Sequence, residues 1–369
     1  MRVLIAAGGT GGHIYPGIAV ANEILRRWPE SEIRFVGTAR GLENKLVPQA
    51  GFELSIIESA GLKNVSAIAR VRGLMVIPRS LWAARSLIKG FQPDIVIGAG
   101  GYVSGPVLLA AALMNRPTLV LESNALPGFT NRRLALFVDK AAVSFSAALP
   151  YFRGKAVVTG NPVRREFFEI PARQRDAAQF SVLVFGGSQG AQAINEAMIA
   201  ALPELDELRS VLRITHQTGE ADFEKVRNGY LDAGWSQRVD VRRYIDDMVI
   251  SFGNADLVLS RAGATTTAEL IAAGKAAIMI PFPLAADDHQ RKNAEALVAE
   301  GAARMILQRD LTGSSLAAEL GKLVRSPDEV REMEEASRRL ARGDAAAAVV
   351  DLIEGMLGVS TVDRRPSTV

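Results

Sequence analysis

Cysteine is absent from the 369 residues. Disulfides, thiolate zinc sites, iron–sulfur clusters and a cysteine nucleophile are therefore excluded, and a reducing compartment is permitted. Histidine is scarce: His13, His216 and His289 are the only three, too few for a histidine-rich metal centre. Nowhere do eighteen uncharged apolar residues run together, so no membrane span is expected. The apolar run at the start, Val3 to Ala7, enters glycines too soon to be the core of a secretory signal. A G-x-x-x-x-G-K-[ST] motif is missing, which removes P-loop phosphoryl transfer. The dinucleotide fingerprint is missing too, because G-x-G-x-x-G fails at Ile14 when begun at Gly9 and at Val103 when begun at Gly98.

What the chain does have is enough apolar material, 48% hydrophobic against 22% charged, to fill real cores. Its length suits two domains. Net charge is only +3, yet residues 1–161 hold 18 Lys/Arg and 9 Asp/Glu while 162–369 hold 25 and 31. The basic first half is expected to face something anionic, with nucleic acid, phospholipid and pyrophosphate as candidates.

Short apolar runs alternate with helical patterns: Val3 to Ala6, Ile33 to Val36, Asp94 to Ile97, Thr118 to Leu121, Ala156 to Thr159, Val182 to Phe185, Leu257 to Leu259 and Ala277 to Ile280. Continuous apolar strands separated by helices predict an α/β fold with parallel sheets covered on both faces. VLIAAGGTGG at Val3 to Gly12 recurs as VLVFGGSQGA at Val182 to Ala191. Each copy reads as strand, glycine turn and helix, so two doubly wound domains are predicted, each opening on its own first strand. The boundary is placed at Gly160-Asn161-Pro162, giving domains 1–161 and 162–342. A charged helix follows Pro327, an alanine-rich helix occupies about 343–358, and a disordered tail is expected over 359–369.

Glycine after a parallel strand lets backbone N–H groups converge on an anion at the next helix N-terminus. A ligand-free tight turn is the alternative. A third cluster, Gly98 to Gly105, has four glycines in eight residues and with Gly8 to Gly12 suggests a double amide cradle for a pyrophosphate. Between a strand and a helix, Ser260 to Glu269 presents Arg261, Gly263, Thr265, Thr266 and Thr267. Glu269 there suits two vicinal ribose hydroxyls, or else closes a capping box from Thr266. Gln290 and Asn293 share a face at a helix entrance and suit sugar hydroxyls, with a polar helix start capped by Asp as the alternative. His13 at the mouth of the first loop is either a general base or a hydrogen-bond donor to phosphate or backbone.

Taken in order, GGTGGHIYPGIAVA (Gly8 to Ala21), GAGGYVSGP (Gly98 to Pro106), ESN (Glu122 to Asn124), TGNPVR (Thr159 to Arg164), GGSQGA (Gly186 to Ala191), YIDDM (Tyr244 to Met248), SRAGATTTAEL (Ser260 to Leu270) and DDHQRKNA (Asp287 to Ala294) resemble the MurG family of peptidoglycan glycosyltransferases. The resemblance implies a GT-B fold, two Rossmann-like domains facing across a cleft, with the last helix returning to the first domain. It implies transfer of N-acetylglucosamine from UDP-N-acetylglucosamine to undecaprenyl-pyrophosphoryl-N-acetylmuramyl-pentapeptide, with inversion at the anomeric carbon and no cofactor. It assigns donor contacts to Thr10, Gly11, Gly12, Asn124, Arg164, Ser188, Tyr244, Ile245, Gln290 and the run Ala264, Thr265, Thr266, Thr267, Ala268 and Glu269. Within these, the Ile245 backbone would bind uracil, Tyr244 flank the base, Glu269 hold the ribose and Ser188 meet donor phosphate. The acceptor pyrophosphate would face Gly9, Gly100, Gly101 and Tyr102. His289 stands where some relatives have a second glutamine, which puts a sugar contact there in doubt.

No D-x-D pair occurs, so UDP departure is expected to rely on loop amides, a helix dipole and Arg261 rather than a metal. His13 is the first candidate base and Glu122 the second. Asn293 joins the donor set through its amide. Lys63, Arg70, Arg72, Arg79, Arg85 and Lys89, interleaved with Leu74, Met75, Val76, Ile77, Leu81 and Trp82 and with no acidic residue, predict contact with an anionic membrane, which the resemblance implies is the cytoplasmic face of a bacterial inner membrane. Two other functions fit parts of the pattern: a UDP-N-acetylglucosamine epimerase on the same scaffold, and a non-catalytic membrane-associated nucleotide-sugar binder. No recognised module supports nucleic-acid binding.

Overall fold

Strands β1 (Arg2–Ala7), β4 (Ile95–Gly100) and β5 (Thr118–Glu122) are apolar almost throughout and buried on both faces, the pattern of parallel strands covered by helices on each side. With β2 (Glu32–Gly37), β3 (Glu53–Ile56), β6 (Lys140–Val143) and β7 (Ala156–Val158) they form a parallel sheet in the order β3-β2-β1-β4-β5-β6-β7. A second parallel sheet comprises β8 (Phe180–Phe185), β9 (Leu212–Gln217), β10 (Val239–Arg242), β11 (Leu257–Ser260), β12 (Ala277–Met279) and β13 (Ala303–Met305), in the order β10-β9-β8-β11-β12-β13. The computed structural model describes the chain apart from residues 10, 40, 59–66, 174–177, 188–189, 286–287, 342, 344 and 360–369, and apart from the side chains of 67–77. It divides into a first unit, Met1–Arg164 with Asp344–Val369, and a second, Arg165–Gly343.

Both sheets follow one plan. The repeated motif falls on β1 and β8, the strands beside which the order reverses, so each glycine loop leaves its sheet at a topological switch point. Five strands lay outside the expected set: β3, β6, β9, β10 and β13. The β3 and β10 strands are sheet edges with polar, half-exposed side chains, β6 and β13 are short, and β9 (LRITHQ) ends on polar residues that are nonetheless buried.

In the first unit, Val3 and Ile5 of β1 point into one core cluster and Leu4 and Ala6 into another, as a strand's period of two requires. The cluster on the Val3 side is completed by Val349, Val350 and Ile353 of the helix Ala345–Leu357. Burying each of these side chains contributes about 1.5–3 kcal/mol. Arg27, whose side chain is only 6% exposed, ties that helix down through Asp351 (2.6 Å) and Glu354 (2.9 Å) while also meeting Glu23 at 2.6 Å. Burial opposes the charge on Arg27, but the hydrogen bonds it donates to Asp351, Glu23 and Glu354 outweigh that and hold the guanidinium firmly protonated.

The helix Ala67–Phe91 contains Pro78. In its described part Ser80, Ala84, Ile88 and Phe91 are buried, whereas Arg79, Trp82, Arg85 and Lys89 are exposed. Leu81, expected on the membrane-facing side, packs instead against the core. Lys63 lies outside the described residues, as do the side chains of Arg70, Arg72, Leu74, Met75, Val76 and Ile77. Among the described residues no helix is long and apolar enough to cross a membrane.

Candidate active site

At the carboxyl end of β1 the chain turns through Gly9, whose φ of 92° is left-handed, and enters the helix Gly11–Arg27. Gly11 and Gly12 are the first residues of that helix, among the positions whose N–H groups lack an intrahelical partner. Thr10 lies outside the described residues. The loop after β4 packs directly on this turn. A Cβ at Gly101 would stand 2.2 Å from the Gly8 carbonyl oxygen, and one at Gly100 would stand 2.4 Å from the His13 ring. Both residues, at φ 79° and 119°, are therefore fixed as glycine by backbone conformation and by space.

The expected amide cradle is smaller than two glycine loops suggest. Gly9 N–H donates to Glu43 Oε2 at 2.9 Å, and its carbonyl accepts from Leu42 N–H at 3.3 Å. Gly100 N–H donates to Ser104 Oγ at 3.0 Å, and that hydroxyl bonds Ala6 and Gly100 carbonyls in turn. Gly9 and Gly100 thus shape the loop while their N–H groups are engaged inside the fold. Tyr102 is exposed beside them.

Glu122 was expected as a second base. It is buried at the end of β5, where Oε1 accepts from Asn124 N–H (2.9 Å) and Asn124 Nδ2 (3.1 Å), and Oε2 accepts from Gly128 N–H (3.0 Å) and Asn131 Nδ2 (2.9 Å). Four donors occupy the carboxylate, so taking a proton there would dismantle the loop that it organises. Glu122 is a loop brace, and Asn124 is one of the residues it holds.

In the second unit, β8 runs into Gly186–Ala191. Gly187 and Gly190 have φ of 97° and 77°, and a Cβ at Gly190 would stand 1.9 Å from the Thr218 carbonyl oxygen. Ser188 is outside the described residues. Gln217, ending β9, donates from Nε2 to the Gly187 carbonyl at 2.8 Å and accepts from Ile245 N–H on Oε1 at 2.8 Å. One side chain therefore joins the glycine loop to the segment expected to read uracil. Ile245 itself is buried, its N–H already engaged, and Tyr244 next to it is exposed. Behind the loop, buried Asn195 holds the Thr218 carbonyl (3.0 Å) and meets His216 Nε2 (3.0 Å), while His216 Nδ1 meets the Tyr230 hydroxyl (3.0 Å). Burial keeps that imidazole neutral, its pKa pushed down to about 3.

The helix Ala264–Ala273 follows β11, with Gly263 as its N-cap. Thr266 is thus inside the first turn rather than capping it, which removes the capping-box explanation of Glu269. Thr267 Oγ1 bonds the Gly263 carbonyl at 2.9 Å, Ala268 is buried, and Thr265 Oγ1 is buried with no protein partner. Arg261 donates to the Ile280 and Pro281 carbonyls at 3.0 and 3.3 Å and lies over the Phe282 ring. Burial lowers its pKa to about 10, which still leaves it charged at neutral pH. Asn293 is fully buried and donates to the Ala262 carbonyl at 3.1 Å. That bond positions the loop after β11, next to Arg261. Gln290 accepts from Phe282 N–H at 2.9 Å. Arg164 is exposed at the end of the first unit. Among the described residues no group of three His, Asp or Glu side chains could hold a metal ion.

Two family models match this chain: the glycosyltransferase family 28 N-terminal domain over residues 3–143 and the C-terminal domain over 181–351. The chain is a family 28 glycosyltransferase. The two matched segments of this transferase contain both switch points, and the GT-B fold follows from its two parallel-sheet units. A relative from Citrifermentans bemidjiense, named UDP-N-acetylglucosamine–N-acetylmuramyl-(pentapeptide) pyrophosphoryl-undecaprenol N-acetylglucosamine transferase, is 48% identical over 95% of this chain and 98% of its own. The crystal structure of Acinetobacter baumannii MurG is similar at 32% identity with a TM-score of 0.80, covering 96% of this chain and 99% of that one. A putative UDP-N-acetylglucosamine 2-epimerase from Listeria monocytogenes shares the fold at a TM-score of 0.67, with 14% identity over 100% of this chain and 99% of its own.

The residues that sequence reasoning missed are Glu43, Gln217, Asn195 and Ser104. Each braces a loop from behind. A polar residue at the end of an apolar strand was the available signal for Gln217; Glu43 reads as an ordinary acid in a helix's first turn.

Proposed function

We propose that this family 28 transferase moves N-acetylglucosamine from UDP-N-acetylglucosamine to the C4 hydroxyl of undecaprenyl-pyrophosphoryl-N-acetylmuramyl-pentapeptide. The observation that carries the reading is 48% identity to a transferase of that name over 95% of this chain. The acceptor oxygen attacks the anomeric carbon from the face opposite UDP, the glycosidic C–O bond to the diphosphate breaks, and the configuration inverts from α to β. His13 takes the proton of the attacking hydroxyl. UDP leaves carrying the bond's electron pair, its charge met by the N-terminal amides of the helices Gln192–Ala201 and Ala264–Ala273 and by the unpartnered Thr265 hydroxyl. Glu269 holds the ribose, and the Ile245 backbone meets uracil through its carbonyl, since its N–H is engaged with Gln217. The acceptor pyrophosphate approaches Gly101 and Tyr102, and the enzyme rests on an anionic bilayer through the exposed row Arg79, Trp82, Arg85 and Lys89.

The decisive experiment is incubation of the chain with labelled UDP-N-acetylglucosamine, with and without the lipid-linked acceptor and with and without EDTA. Release of UDP only when acceptor is present, unaffected by EDTA, is expected. Acceptor-independent formation of a C2 epimer would convict the epimerase reading, and donor binding without turnover in full substrate would favour a binding protein. For the membrane, Arg79→Glu with Arg85→Glu should cut co-sedimentation with phosphatidylglycerol vesicles, at about 1 kcal/mol for each cation lost. Undiminished or salt-insensitive binding would place the attachment elsewhere.

A further inference from the structure

The Gly8 carbonyl and the Gly9 N–H are two ends of one planar peptide group. Its N–H donates to Glu43 Oε2 at 2.9 Å, and its carbonyl meets His13 Nδ1 at 3.1 Å. We infer that Glu43 sets the tautomer and the basicity of His13 through the Gly8–Gly9 peptide, so that a buried carboxylate and the catalytic imidazole form a pair with a peptide bond between them. Glu43 is a positioning residue in this scheme, and the inference rests on His13 being the base.

The chemistry fixes the direction of each bond. A carbonyl oxygen only accepts, so the neutral His13 ring must carry its proton on Nδ1, which puts the lone pair on Nε2. A carboxylate pulling on the N–H end of a peptide draws charge toward its oxygen, because hydrogen bonds in series polarise one another. A more negative Gly8 oxygen favours the imidazolium that forms when Nε2 takes a proton. Carboxylates that contact a histidine directly do the same work of orientation and charge support. The turns against the ring, Gly8–Gly9 and Gly100–Gly101, have no charged side chain of their own, and the first of them is bonded to the carboxylate of Glu43.

The fold has a compartment made for this carboxylate. Glu43 is fully buried, and Oε1 accepts from both the amide and the hydroxyl of Thr38 at 2.8 Å. Glycine at positions 37 and 41 leaves it room: a Cβ would stand 2.5 Å from its Cγ at Gly37 and 1.8 Å from Oε2 at Gly41. Burial alone would raise its pKa, but hydrogen bonds from the Thr38, Glu43 and Gly9 amides and the Thr38 hydroxyl outweigh that and hold the carboxyl below its usual range. It stays ionised while screened from water.

The test is NMR of the full chain labelled with ¹⁵N in its histidine rings, with the His13 signals assigned by their loss in His13→Asn. In the wild type, neutral His13 should show a protonated Nδ1. In Glu43→Gln the charge is lost and either orientation of the amide turns its NH₂ toward a backbone N–H, that of Gly9 or that of Thr38, so the tautomer bias should fall, the ring should titrate at lower pH, and kcat should drop about tenfold or more with donor KM unchanged. Glu43→Asp, which keeps the charge, should recover part of both. A wild-type ring protonated on Nε2 overturns the inference without any variant, even if Glu43→Gln fails to fold. An unaltered spectrum in folded Glu43→Gln overturns it as well. Should His13→Ala retain its kcat, the base assignment fails while the tautomer result still stands or falls by itself.

Discussion

The two glycine loops start from nearly the same sequence and leave the same position in two sheets of the same order, yet they are braced by chemically different groups. In each unit the brace comes from the neighbourhood of the second strand: Glu43 opens the helix Glu43–Gln49 that follows β2, and Gln217 ends β9. The first is a buried carboxylate holding an N–H; the second is a neutral amide holding a carbonyl. A negative brace offsets the positive end of the adjoining helix, whereas a neutral one leaves it unopposed. The first loop is accordingly suited to handling a proton beside His13, and the second to receiving a diphosphate. Duplicated architecture has been divided by a single charge.

The sharpest way to break that division is at the imidazole. His13→Ala should lower kcat by roughly two to four decades while leaving donor KM almost unchanged. A change confined to acceptor KM would turn His13 into a ligand and leave the base to be found. Next in size is Glu269→Ala, where losing a charge-assisted hydrogen bond to ribose should weaken UDP binding by roughly 1.5–3 kcal/mol. Calorimetry with UDP reads this directly, and unaltered affinity removes Glu269 from the donor site.

Gln217→Glu gives the second loop the kind of brace the first one has. Its oxygens would face the Gly187 carbonyl that the amide now bonds, so donor KM should rise about tenfold with the acceptor KM intact, for a net loss near 1.4 kcal/mol. Equal effects on both substrates would show that the braces are interchangeable supports.

The last effect concerns stability and leaves catalysis untouched. The His216 pKa of about 3 in the folded chain lies below its ordinary 6.5, so between those values the unfolded chain binds the extra proton and stability falls as pH falls. Denaturant titrations between pH 6 and 4 should show a wild-type loss steeper than that of His216→Gln by up to about 1.4 kcal/mol per pH unit. Parallel slopes would mean that the imidazole is charged inside the second core.

Much of this was legible because it is local. A strand followed by glycines and a helix start is a contiguous signal, so the loops at β1, β4, β8 and β11, and His13 among them, could be read before any contact was known. The repeat announced two sheets for the same reason. The braces were not legible, because Glu43 reaches its loop from the helix after β2 and Gln217 from the neighbouring strand β9, and adjacency of β2 to β1 or of β9 to β8 is a property of strand order. The same gap hid what Glu122 and Asn293 bond inside the fold. Spacing showed polar residues near a site, but only the packed loops reveal that four donors surround one and that the Ala262 carbonyl holds the other.

The helix Ala345–Leu357 completes the core against Val3 and Ile5, although 350 residues of chain separate Val3 from Ile353. On the ribosome the first unit is therefore synthesised long before it can close, and its apolar face waits while the whole of Arg165–Gly343 emerges and folds. A ribosome stalled anywhere short of the last helix would display a nearly finished sheet with part of one side uncovered. That half-built face is where a chaperone would be needed most, and a premature stop codon near the end of the message would harm the part of the protein made first.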